Sequence, residues 1–116
     1  MNYTHQNPAN GKWFELSLAE QLGNIGSEVD RIISWKKKGN VSYAEKAFFR
    51  AVELLDLTLT DKRWYNHRLK ELCRLKEVFC DSYFGGTNFN TSLEYFSKYF
   101  YQFACVARKR QLKTKS

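Results

Sequence analysis

Phe14, Leu18, Leu22, Ile25, Val29 and Ile32 recur at steps of 4, 4, 3, 4 and 3 residues. A half-buried strand repeats every second residue, so an unbroken run of threes and fours leaves an amphipathic helix with one apolar stripe. Ser17 and Glu20 have the Ser-x-x-Glu spacing of a capping box, in which each side chain satisfies the other's backbone N–H. Lys36, Lys37 and Lys38 fall where the helix dipole favours cations, and Gly39-Asn40 supplies a stop. The pattern predicts a first helix from Ser17 to Lys38, with Trp35 outside the stripe and partly exposed. Gly23 and Gly26 within "GNIG" weaken that helix by about 1 kcal/mol each, which points to another helix crossing closely there.

The same reading extends along the chain. Ser42 and Glu45 suggest a second capping box opening a helix to Leu59, with Ala44, Ala47, Phe48, Ala51, Leu54, Leu55 and Thr58 on one face. A third helix is expected from Asp61 to Tyr83, ended by Gly85-Gly86, with Tyr65, Leu69, Leu72, Leu75, Phe79 and Tyr83 inward. A fourth follows "TNFN", capped by Thr91 and Glu94, with Leu93, Phe96, Phe100, Phe103 and Ala107 inward. One proline and six glycines in 116 residues disfavour a many-turned β fold. Four amphipathic segments on short connections predict an all-α fold, an antiparallel four-helix bundle over residues 13–107. Residues 1–12 are expected as a flexible lead-in, and residues 108–116 as a solvated basic tail that frays.

Charge and motif bound the function. A net charge of +7 suits a polyanionic partner, RNA, DNA or an acidic membrane surface, and is also what solubility alone would ask for. No apolar run reaches the roughly 18 residues of a membrane span and no secretory signal opens the chain, so a cytoplasmic protein without a membrane partner is expected. Cys73, Cys80 and Cys105 form no CxxC pair and read as small buried hydrophobes. Phosphate-binding glycine loops, HExxH and GxSxG are absent, and no metal or other cofactor is called for. The carboxylates Glu20, Glu28, Glu45, Glu53 and Asp56 are accounted for by capping and ion pairing.

The densest stretch is "DKRWYNHRLKELCRLKE", from Asp61 to Glu77. On a continuous helix, Arg63, His67, Lys70 and Arg74 fall within about 60° of arc, opposite Leu72 and Phe79, and form a row able to track phosphates. Trp64 lies to the side, where it could stack on a base or cover an edge of the core. Lys36, Lys37, Lys38 and the tail residues Arg108, Lys109 and Arg110 would extend the row.

Arg63 and His67 also resemble the Arg-x(4–6)-His motif of the HEPN family, small helical bundles whose Arg and His act on the RNA 2′-hydroxyl and phosphate at a dimer interface. That resemblance implies a ribonuclease with Arg63 and His67 as its catalytic pair, or a toxin–antitoxin component. The spacing here is three and Trp64 follows the Arg, both departures from the motif. Ala44-x3-Phe48-x2-Ala51 is similar to the second helix of a tetratricopeptide repeat, but no 34-residue period recurs, so small-residue packing explains it. "WFELSLAEQLGNIGSEV", "WKKKGN", "RAVELLDLT" and "RLKE" resemble a group of short bacterial proteins of unknown function over residues 13–108, a likeness that implies no catalytic residues. In size, charge and architecture the chain is also similar to the four-helix accessory proteins of diversity-generating retroelements, which bind nucleic acid and a reverse transcriptase.

Taken together, a non-enzymatic helical protein that binds nucleic-acid backbone is expected, as accessory to a partner enzyme encoded nearby. Tyr95, Tyr99 and Tyr101 spread beyond one stripe and suggest the alternative, a protein-interaction or homo-oligomer module.

Overall fold

The computed structural model describes residues 11–65, 67–85 and 92–115, with side chains as far as Leu112. Helix α1, Leu18–Lys37, begins at the capping box anticipated for it. Glu20 N–H donates to Ser17 Oγ (3.1 Å) and Ser17 N–H to Glu20 Oε1 (2.9 Å). At its far end Gly39 takes φ +76°. Gly39 N–H then reaches the Lys36 carbonyl and Asn40 N–H the Trp35 carbonyl. That Schellman pattern satisfies carbonyls the helix leaves open, and glycine adopts the left-handed turn without strain.

The tight turn moves the next cap. Helix α2, Val41–Leu59, is capped by Asn40, whose Oδ1 accepts from Tyr43 N–H at 3.1 Å. The Ser42–Glu45 box expected there does not form its helix start, because Ser42 already lies inside the first turn. The expected inward face is borne out: Ala44, Ala47, Phe48, Ala51, Leu54, Leu55 and Thr58 are all buried.

A larger correction concerns the third segment. In place of one helix from Asp61, the chain makes a short 3-10 turn, Lys62–Trp64, then a bend, and only then helix α3, Leu69–Tyr83. Asp61 Oδ1 captures Arg63 N–H at 3.1 Å, a local turn that competes with helical pairing. Gly85, at φ +74°, ends α3 as anticipated; Gly86 and Thr91 lie outside the described residues. Helix α4, Leu93–Lys115, opens with Ser92 Oγ accepting from Tyr95 N–H. It carries Arg108, Lys109 and Arg110 within it, so this part of the expected frayed tail is helical. Residues 11–13, at the end of the expected lead-in, are helical too. Among the described residues there is no strand.

α1 is the central element and packs closely against both α2 and α4. A Cβ built on Gly26 would lie 2.6 Å from Phe100 Cβ, and one on Gly23 3.0 Å from Ala104 Cα. The two glycines are where α4 crosses, as their placement suggested. Gly26 meets Phe100 while Asp30 accepts from Ser97 Oγ, so α1 and α4 run in opposite directions. The core is aromatic: Phe79 meets Phe96 edge-on at 5.5 Å, and Phe48 stacks on Tyr83 at 3.9 Å. Phe79, Phe96 and Phe100 are almost wholly buried, each contributing roughly 1.5–3 kcal/mol of transfer free energy. Two expected inward residues are not: Phe14 is exposed and Trp13 is buried instead, and Tyr65 is exposed beside the break before α3. Cys73 is exposed and Cys80 and Cys105 are only partly buried, against the expectation of buried thiols. No helix among the described residues is long and apolar enough to cross a membrane.

Candidate nucleic-acid interface

The row of Arg63, His67, Lys70 and Arg74 required one continuous helix, and the break before α3 removes that requirement's basis. Arg63 lies on the 3-10 turn, His67 in the bend, and only Lys70 and Arg74 share a helical face. His67, Lys70 and Arg74 are exposed. Arg63 is committed to the protein itself. Its Nη2 donates to Asp61 Oδ2 (2.6 Å) and to the Leu16 carbonyl (2.7 Å), and its guanidinium lies 4.5 Å from the Trp64 ring centre.

That commitment belongs to a buried polar hub that patterning did not reveal. Gln21 is fully buried. Its Nε2 donates to the Trp13 carbonyl (2.9 Å) and Asp61 Oδ2 (3.0 Å), and its Oε1 accepts from Trp64 Nε1 (3.0 Å). Trp13 Nε1 donates to buried Thr58 Oγ1 at 3.1 Å. The hub joins the segment before α1, the end of α2 and the 3-10 turn. Arg63's hydrogen bonds hold the Asp61 carboxyl below the usual carboxylate range, against the opposing effect of burial. Trp64 is therefore tied inward by its N–H and covered by Arg63. A signal was present in the sequence: Gln21 sits between Leu18 and Ile25 at helical steps, a polar residue on an apolar face.

The other basic groups divide between two ends of the molecule. Arg108 shares a groove of about 250 Å³ between α1 and α4 with Glu20, Asn24 and Gln111. Gln111 Nε2 donates to Glu20 Oε2 there, and Arg108, Lys109 and Arg110 are exposed. Lys36, Lys37 and Lys38 lie at the opposite end of α1, whose 20 residues span about 30 Å. The proposed extensions of the row thus do not form one surface.

At the Lys36–Lys38 end, the tight α1–α2 turn assembles a different cluster. Trp35 and Tyr43 meet edge-to-face with ring centres 4.8 Å apart. Lys38 Nζ lies 4.9 Å from the Trp35 ring centre and Lys46 Nζ 5.3 Å from that of Tyr43. Lys36 Nζ lies 4.6 Å from the Tyr83 ring centre. Arg50, one turn beyond Lys46, donates through Nε to Glu28 Oε1 at 3.2 Å. Glu28 is itself 6% exposed and also accepts from Arg31 Nη1 at 2.6 Å, so a buried carboxylate orients both guanidinium groups. Trp35, Tyr43, Lys46 and Arg50 line an open depression of about 210 Å³. Sequence reasoning singled out Lys36–Lys38 here but missed Tyr43, Lys46 and Arg50. The usable signal was the three-residue connection between α1 and α2, which folds "WKKKGN" back onto Tyr43.

A cluster of cations around aromatic rings can hold phosphates electrostatically and offer a ring face to a base. Among the described residues no group of His, Cys, Asp or Glu is arranged to hold a metal ion. No family model, curated protein or solved structure matches this chain.

Proposed function

We propose that this chain is a non-catalytic basic helical protein, an antiparallel four-helix bundle, that binds nucleic-acid backbone as an accessory to a partner protein. The observation that carries this reading is the convergence of Lys38, Lys46 and Arg50 on Trp35 and Tyr43 where α1 turns into α2. Sequence-independent phosphate contact needs cations on a shared surface, and this cluster has them where the Arg63 row does not. Counterion release makes the test direct. With about three phosphates engaged, the logarithm of the association constant falls against the logarithm of salt with a slope of about −2 on a single strand. Affinity at physiological salt is expected at a Kd of about 10⁻⁴ to 10⁻⁶ M. Fluorescence anisotropy across a salt series measures both, and a slope near zero would overturn the proposal.

A second reading, a protein-interaction or homo-oligomer module, draws on exposed aromatic surface. Phe84 is 71% exposed, Tyr101 63% and Tyr95 55%. Light scattering together with the salt series separates the two: self-association without nucleic-acid binding favours this alternative. The ribonuclease alternative keeps His67 as its acid–base group and is weakened at Arg63, whose Nε and Nη2 are engaged by Asp61 and the Leu16 carbonyl. RNA cleavage that survives His67→Ala would eliminate it.

A further inference from the structure

We infer that the depression lined by Trp35, Tyr43, Lys46 and Arg50 is a nucleobase notch, which makes single-stranded nucleic acid the ligand class of this surface; the inference rests on the backbone-binding reading above. Three features of the notch carry it. First, the two rings stand at 80° to one another, so they form a corner with two walls, not one flat patch. Second, Trp35 differs from its two counterparts. Trp13 and Trp64 each direct the indole N–H into the buried hub, onto Thr58 and Gln21. Trp35 stands outside that hub, partly buried, with its ring against Tyr43 and the Lys38 ammonium. Third, Arg50 lines the same depression and is tied through Nε to the buried Glu28 carboxylate, which fixes a guanidinium beside the two rings.

Cations already lie against both rings: Lys38 at Trp35 and Lys46 at Tyr43. A cation–π contact at an exposed site is weaker than a base–aromatic stack. An incoming base therefore displaces an ammonium from its ring, and the freed ammonium is left beside the flanking phosphate. One residue supplies charge in both states, and ring and phosphate are engaged together only by a nucleotide whose base is unstacked. Bases paired within a duplex do not present their faces, so the notch discriminates by strandedness and not by base identity. Glu53 lines the adjoining depression with Lys46, Phe49 and Arg50.

The test compares labelled oligothymidylate, oligouridylate, a duplex of equal length and an abasic strand with the same phosphates, each titrated with the full chain in fluorescence anisotropy. Strands with bases are expected to bind roughly fivefold or more tighter than the abasic strand, the range set by one base–aromatic stack. Tyr43→Ala should abolish that preference and Tyr43→Phe should retain it. The helix start is unaffected by either change, since Asn40 Oδ1 accepts from the Tyr43 backbone N–H, which both variants keep. Equal binding of base-bearing and abasic strands, equal binding of the duplex, or a preference that survives Tyr43→Ala would each overturn the notch while leaving backbone binding in place. Binding to none of the four would overturn both.

Discussion

Asp61→Ala is the change whose cost follows most directly from the hub. The carboxylate is 4% exposed and accepts from Gln21 Nε2, Arg63 N–H and the Arg63 guanidinium. Truncation leaves the Gln21 donor buried without that acceptor, a penalty of about 1–3 kcal/mol. Losing the side-chain cap on the 3-10 turn adds about 1 kcal/mol. Arg63 contributes little, because its side chain is 42% exposed and water can replace the carboxylate. The sum is about 2–4 kcal/mol. A chain of 116 residues has an unfolding entropy near 0.24 kcal/mol/K, so the melting temperature should fall by about 8–16 °C. Thermal unfolding followed by circular dichroism measures the shift. Gln21→Leu should also destabilise, since it strands Asp61 and the Trp64 indole. The double variant should lose at least about 1 kcal/mol less than the sum of the two, because it removes both ends of one hydrogen bond. Strict additivity, or an Asp61→Ala melting temperature within about 2 °C of the parent, would refute the hub as a coupled unit.

Acid should act through the same carboxylates. Arg63 holds the Asp61 pKa down, and the Ser17 backbone N–H does so for Glu20. Their stabilisation is present above the unfolded value of about 4 and is lost as pH falls through the lower folded values. Urea unfolding from pH 7 down to pH 3 should therefore lose stability chiefly below pH 4, and less steeply in Asp61→Ala. Gly26→Ala should destabilise by up to about 2 kcal/mol: overpacking costs about 1–3 kcal/mol against a helix gain of about 1. Denaturant midpoints would check this, and a variant more stable than the parent would show that α1 and α4 can part freely. Arg63→Ala and Lys46→Ala should separate structure from binding. The first should lower the melting temperature with nucleic-acid affinity unchanged, and the second should reduce the salt slope by about 0.7 with the melting temperature unchanged.

Helical identity and the buried faces were legible because both depend on neighbours in sequence. The steps through Leu22, Ile25, Val29 and Ile32, the Ser17–Glu20 box and the alanine-rich face of α2 are local patterns, and each reappears in the structure. Gly23 and Gly26 announced a close crossing, although not that Phe100 and Ala104 would meet them. The misreadings fall where one pattern lost to another contact, local in the first case and long-range in the second. Ser42-x-x-Glu45 satisfies a capping pattern, yet the turn at Gly39 brought Asn40 into place first. Helical periodicity runs through Asp61–Tyr83, yet Asp61, Arg63 and Trp64 are drawn onto Gln21 and Leu16, 40 to 47 residues earlier.

Sequence alone determined that the chain is helical, where its stripes lie and that its surface is basic, since composition and period need no partner. Tertiary structure decided which basic residues share a surface. Arg63 is tied to the buried Asp61 carboxylate and the Leu16 carbonyl by charge-assisted hydrogen bonds, although its side chain stays 42% exposed. Lys38 and Lys46 came together because a three-residue turn folds α2 back along α1, placing them on Trp35 and Tyr43. Charge is a property of the residue; a binding surface is a property of distance, and distance is set only when the helices pack.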